Sequence, residues 1–212
     1  VLAFSRLAAL ARERGVQLRY DATVAGGLPA VNLGERDLAT ARILRLEGIL
    51  NMTANYILVR MSEGLGYQAA LAEAQAAGHA EADPRLDVEG WDAASKLVIL
   101  ANGTLGQPAT LADVAVEGIL GVTPAMLREA VAADRRIRLV AVAEQRAEGY
   151  ALRVGPAALA AAHPLARLSG DQMGVVLETD ISGVISAAIV EETPVPTAAA
   201  MLRDLVEIFR ED

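Results

Sequence analysis

Apolar positions from Val1 to Arg14 recur at three- and four-residue spacing, and the sequence reads as a helix already under way. Gln17 to Val24 reads as a strand, closed by the glycine-rich turn AGGLP at residues 25 to 29. Within Leu38 to Leu50, arginines alternate with aliphatics in ARILRLEGIL, the pattern of a half-exposed strand. Three helices are predicted next: Thr53 to Leu65, Tyr67 to Ala77 with a stop at Gly78, and a third from Asp87, its N-cap, to Asn102 and Gly103. Thr123 and Pro124 open another, which ends near Asp134. Residues 136 to 145 and 149 to 155 form one hairpin, and residues 173 to 190 form a second that turns at Asp180 to Gly183. A helix from Pro196 to Arg210 closes the chain. Helices gathered between runs of strands imply an α+β fold, a mixed and mostly antiparallel sheet with helices packed on one face.

Composition narrows the class. The 212 residues are 53% hydrophobic and 22% charged, enough to bury a sizeable core and too apolar for disorder. A formal net charge of -8 argues against nucleic acid as a partner, because phosphate binding needs a basic surface. No apolar stretch runs long enough without a charge to cross a bilayer, so a membrane is not expected as a partner either. The absence of cysteine removes disulfides, thiolate metal sites and thiol nucleophiles together, and suits the cytoplasm.

One residue stands apart in this composition. Lys96 is the only lysine among 19 lysines and arginines, and it follows Glu81, Asp83, Asp87 and Asp92 in EADPRLDVEGWDAASK. A guanidinium stays charged, whereas an ammonium can exchange its proton when its surroundings shift its pKa. Helical spacing puts Asp92 and Lys96 four apart on one face, the acid N-terminal to the base. Two readings remain open. The pair is an ordinary surface ion pair worth roughly 0.3 to 0.5 kcal/mol, or the carboxylate positions an ammonium that shuttles a proton to a substrate oxygen. A pocket with two or three carboxylates and one ammonium suits a small amphoteric substrate such as a polar amino acid.

EADPRLDVEGWDAASKLVILA resembles the substrate-site segment of the homoserine dehydrogenases. DATVAGGLP (21 to 29), EGILNMTANYIL (47 to 58), ALAEAQAAGHAEADP (70 to 84), HPLARLSG (163 to 170) and PTAAAMLRDL (196 to 205) occur in that family's order. The resemblance implies an oxidoreductase of amino-acid biosynthesis, toward threonine and methionine, that interconverts L-homoserine and L-aspartate 4-semialdehyde with NAD(P). It makes Lys96 the proton donor or acceptor, with Asp92 orienting it. Glu81 and Asp87 become the carboxylates that hold homoserine, while Thr53 and His79 line its pocket. Asp21, Val24, Gly26 and Leu28 take the places of a sodium-binding loop; a tight strand-to-helix turn would use the same glycines. The resemblance also implies a homodimer paired through the C-terminal strands.

It divides the chain into residues 1 to 24, the tail end of a dinucleotide-binding domain not contained here; residues 25 to 195, the catalytic and dimerisation domain; and residues 196 to 212, a helix returning toward the nucleotide-binding domain. Neither a strand followed by a G-x-G-x-x-G turn nor the family's second lysine is present, so this portion alone is expected to be inactive. Departures stand beside the resemblance. Met52 and Ala54 replace smaller or more polar residues beside Thr53, His79 replaces a tyrosine, and EETPVP (191 to 196) replaces a glycine-rich turn. They leave open an altered-substrate oxidoreductase on the same scaffold, or a non-enzymatic dimeric domain that binds an amino acid.

Overall fold

In the computed structural model, which describes Val1 and residues 3–210, the chain begins with α1 (Phe4–Arg14) and α2 (Ala30–Asn32), the latter running on into a wide helical turn, Leu33–Asp37. Strand β1 (Ile43–Ile49) leads into α3 (Met52–Ser62), α4 (Tyr67–Ala76), α5 (Arg85–Val88) and α6 (Trp91–Asn102). Then come β2 (Val114–Val116), α7 (Pro124–Ala132), β3 (Arg135–Gln145), β4 (Tyr150–Ala160), β5 (Gln172–Thr179), β6 (Val184–Val190) and α8 (Val195–Arg210). Leu2, in the first predicted helix, and Glu211 and Asp212, in the last predicted segment, lie outside the described residues.

The expected α+β architecture is present. Six strands form one sheet in the order β2-β4-β3-β1-β5-β6, antiparallel except for the β2–β4 pair. Helices α3, α6 and α7 pack on one face, where Leu46, Leu139, Ala141, Val175 and Leu177 meet Ile57, Leu97, Leu100 and Leu127 in the main core. The opposite face carries a smaller cluster: Ile49, Val140, Val142 and Val176 lie under Leu165 and Leu168. Arg138, 5% exposed, reaches from β3 to the carbonyls of Ala166 and Leu168, each at 3.2 Å, and fixes this cover to the sheet. Burial holds the Arg138 guanidinium down to about 10.

Four local expectations are corrected. Gln17 to Val24 is not a strand; it ends in a 3-10 turn, Asp21–Thr23, because the Asp21 carboxylate turns inward to accept the amides of Val31 and Asn32. The strand expected over Leu38 to Leu50 is shorter and central instead of half-exposed. Its polar face is covered, with Arg45 bonded to Glu47 at 2.8 Å and Glu47 bonded to His163 at 3.1 Å. The helix expected from Asp87 to Asn102 breaks at Gly90, whose φ of 86° suits glycine, and a Cβ there would meet Val116 at 3.2 Å and the Glu117 carbonyl at 3.3 Å. Asp87 therefore lies inside short α5 and is not an N-cap. Strand β2 is absent from the sequence reading, since three residues are too few to show a period.

Candidate active site

The end of β1 and the start of α3 supply the centre of the site. Asn51 is the N-cap of α3, its side-chain oxygen accepting from the Ala54 amide at 2.8 Å. That bond turns its amide nitrogen outward, where it donates to Asp87 Oδ1 and to Asp92 Oδ2, both at 2.7 Å. Among the preferred capping side chains, only asparagine accepts from a helix amide and donates to two carboxylates at once. The sequence reading missed Asn51, although a capping residue before a helical run was the signal available.

The lone lysine meets the acid expected of it. Lys96 Nζ lies 2.7 Å from Asp92 Oδ2 and donates to the Leu50 carbonyl at 2.8 Å. The same carboxylate oxygen thus takes both Lys96 and Asn51. Two of the ammonium's three donors are used within the fold, which leaves one for a bound molecule. The Lys96 side chain is 22% exposed and that of Asp92 31%, so the pair lies at a partly desolvated surface and not in open water.

Glu81, Asp87 and Asp92 border a depression of about 480 Å³, together with Trp91 and Ser95. Burial raises the Asp87 carboxyl above the usual carboxylate range; the Asn51 amide opposes the rise and the Asp92 charge adds to it. Glu81 is exposed, its carbonyl accepting from Gln75. Thr53 is buried, and its hydroxyl donates to the His79 carbonyl at 2.5 Å. The His79 ring packs on Tyr56 with centroids 4.8 Å apart, so the bonds here place its main chain, not its imidazole, beside Thr53. The structure thus joins Lys96, Asp92 and Asp87 through Asn51, bonds Thr53 to the His79 carbonyl, leaves Glu81 at the rim, and sets the His79 ring against Tyr56.

The glycine turn lies at a second place. Ala25 and Gly26 both have positive φ, 55° and 58°. Glu191 fills the space beside them: its Oε2 accepts from the Gly27 amide at 3.4 Å, and a Cβ on Gly26 would clash with that oxygen. The other Glu191 oxygen takes the Thr197 amide at the start of α8, at 3.0 Å. A carboxylate in this turn repels an anion, so the turn does not fit the phosphates of a dinucleotide. Asp21, the acidic residue of the expected sodium loop, spends both carboxylate oxygens on Val31, Asn32 and Arg203. The Leu28 carbonyl accepts from the Ala30 amide at 2.7 Å. A sodium ion held by Asp21 would therefore lie against the Arg203 guanidinium.

The fold and site define an α+β domain with a carboxylate-lined depression and one ammonium tethered to an acid of its border. The homoserine dehydrogenase family model matches residues 29–206. A homoserine dehydrogenase of Methanocaldococcus jannaschii is 39% identical over 98% of this chain and 61% of its own length. An NAD(+)-dependent homoserine dehydrogenase of Pseudomonas canavaninivorans is 37% identical over 97% of the chain and 59% of its own. The solved homoserine dehydrogenase of Thiobacillus denitrificans superposes with a TM-score of 0.92 at 34% identity, covering 98% of this chain and 48% of that one. This chain belongs to the homoserine dehydrogenase family, and it spans roughly half to two thirds of the length of the relatives it matches.

Proposed function

We propose that the chain is the substrate-binding and dimerisation part of an NAD(P)-dependent homoserine dehydrogenase that interconverts L-homoserine and L-aspartate 4-semialdehyde. The observation that carries this reading is the network Lys96–Asp92–Asn51–Asp87, whose two carboxylates border the depression. The Lys96 ammonium gives a proton to the oxygen of the semialdehyde through the donor left free by Asp92 and Leu50, and in the reverse direction the neutral amine takes one from the homoserine hydroxyl. Asp92 holds it in place. Asp87 and Glu81 attract the substrate's ammonium, and Thr53 supports the wall beside Asp87. A bound nicotinamide would supply or accept the hydride, and no residue of the glycine turn is assigned to it. The test is turnover of aspartate semialdehyde with NADH or NADPH by the gene product carrying this domain. Preference for another small aldehyde would move the reading to an altered substrate, and tight amino-acid binding without turnover would make it a binding domain.

The two ends of the chain meet at Asp21, Arg203 and Asp204, which supports residues 1 to 24 and 196 to 212 as a shared junction with a dinucleotide-binding domain. Exposed Met201, Leu202, Leu205 and Phe209 give α8 an apolar side suited to such a neighbour. A polypeptide of residues 1 to 212 is expected to fold without NAD(P)-dependent turnover, because hydride transfer needs the nicotinamide carbon placed against the substrate carbon. Measurable oxidation of homoserine, or micromolar NADPH affinity by calorimetry, would refute this.

A homodimer in the cytoplasm completes the proposal. Edge strand β6 exposes Val184 and Val190, 66% and 46% accessible, on the face away from the helices, and an apolar edge of this kind is a pairing surface. Light scattering at micromolar concentration is expected to give twice the chain mass, and a monomer would sink the dimer. No helix among the described residues is long and apolar enough to cross a membrane.

A further inference from the structure

Asp21 is 1% exposed, and an isolated carboxylate at such a position is costly unless its charge is balanced. Its Oδ1 accepts from the amides of Val31 at 3.0 Å and Asn32 at 3.1 Å, and its Oδ2 accepts from the guanidinium of Arg203. The Asp21 amide in turn donates to Asp204 Oδ2 at 3.1 Å. A sodium ion on this carboxylate would have to displace Arg203 or lie against it, and two cations at short range in a desolvated site repel strongly. The polar atoms left over point the same way. Among the described residues, Asn32 Nδ2, Arg203 Nε and Asp204 Oδ1 are buried without partners, and each belongs to a residue already bonded to Asp21. Two donors and one acceptor make a poor shell for a hard cation, which takes oxygen ligands.

We propose that Arg203 is the built-in cation of this loop: its guanidinium occupies the place at Asp21 that a monovalent cation would fill, and joins the loop to α8 without bound sodium. The planar fork suits the role, since it offers a fixed charge together with directed donors to a carboxylate. This inference concerns the charge balance of the fold and stands apart from any turnover at Lys96.

The test compares thermal melting of the protein in chlorides of sodium, potassium and choline at equal ionic strength, with sodium-23 relaxation as a direct measure of ion binding. The wild-type protein is expected to melt within about 1 °C in all three salts and to show no saturable sodium relaxation. The Arg203 side chain is 38% exposed, so Arg203→Met leaves no large cavity, yet it strips a buried carboxylate of its partner. That variant is expected to melt roughly 5 °C lower in choline chloride and to recover part of the loss in sodium. Arg203→Lys, which keeps the charge, is expected to stay near the wild type in every salt. A wild-type melting point that rises in sodium over choline would overturn the proposal. So would an Arg203→Met variant with an unchanged melting point, or one destabilised equally in all salts, which would mark an ordinary ion pair.

Discussion

Changing Lys96 to arginine in a full-length enzyme built on this domain is expected to lower kcat by ~10²-fold or more. The melting point should move by less than about 2 °C. Arginine keeps the positive charge, so the contact with Asp92, 2.7 Å in the native pair, can be replaced by a guanidinium contact and the fold has no reason to fail. What is lost is the proton, because a guanidinium does not release one near neutral pH. The size of the loss follows from what a placed acid or base contributes to a proton transfer. Asp92→Asn should show a related defect of smaller size, since the ammonium keeps its bond to the Leu50 carbonyl. Steady-state kinetics with aspartate semialdehyde reads both. Near-normal turnover in Lys96→Arg would return the pair to a surface contact worth a few tenths of a kcal/mol.

Asn51→Ala is expected to be the most damaging change outside the lysine, destabilising the fold by about 2 to 3 kcal/mol. The N-cap bond to Ala54 accounts for about 1 kcal/mol, and the remainder comes from leaving the half-buried Asp87 carboxylate without its donor. Asn51→Asp keeps the cap but sets a third carboxylate against Asp87 and Asp92, so its effect should depend on pH. The sign follows from the Asp87 carboxyl, whose folded pKa already lies above its unfolded value of about 3.9. Stability from holding that proton is full below the unfolded pKa and is lost as pH rises through the folded one. In Asn51→Asp the folded value rises further, so the deficit relative to the native protein should widen from pH 4 toward neutrality. Urea melts across that range measure it, and a deficit independent of pH would show that the three carboxylates do not interact.

The chemistry was more legible in the sequence than the scaffold that holds it. Asp92 and Lys96 could be paired by counting because an i,i+4 relation is local and survives any packing. Helices α3, α4, α7 and α8 were visible for the same reason, each carrying its own period and boundary residues. Asn51 was not legible as a hub, since its two carboxylate partners lie on α5 and α6, and contacts between elements leave no periodic trace. The break at Gly90 was hidden too. A glycine inside a helical pattern is tolerated as often as it interrupts, and here the crossing of Val116 and Glu117 decides the matter. The strand expected at Gln17 to Val24 failed for a related reason: its alternation was real, but the buried bonds of Asp21 lie with residues more than 180 positions away as well as with the turn after it. Glu191 in the glycine turn reads, from sequence alone, only as a charge where a small residue was expected.

Strand β1 lies in the middle of the sheet yet is the first of its six strands in chain order, and neither neighbour, β3 or β5, begins before Arg135. During translation its two edges therefore stay open while the helical segment and β2 emerge, and they close only when distant chain arrives. Non-local pairing of this kind slows folding and prolongs exposure to misassociation. Arg45 and Glu47, which end up bonded to each other beneath the covering turn, then have an earlier office: charges on a naked strand discourage a second nascent chain from adding to it.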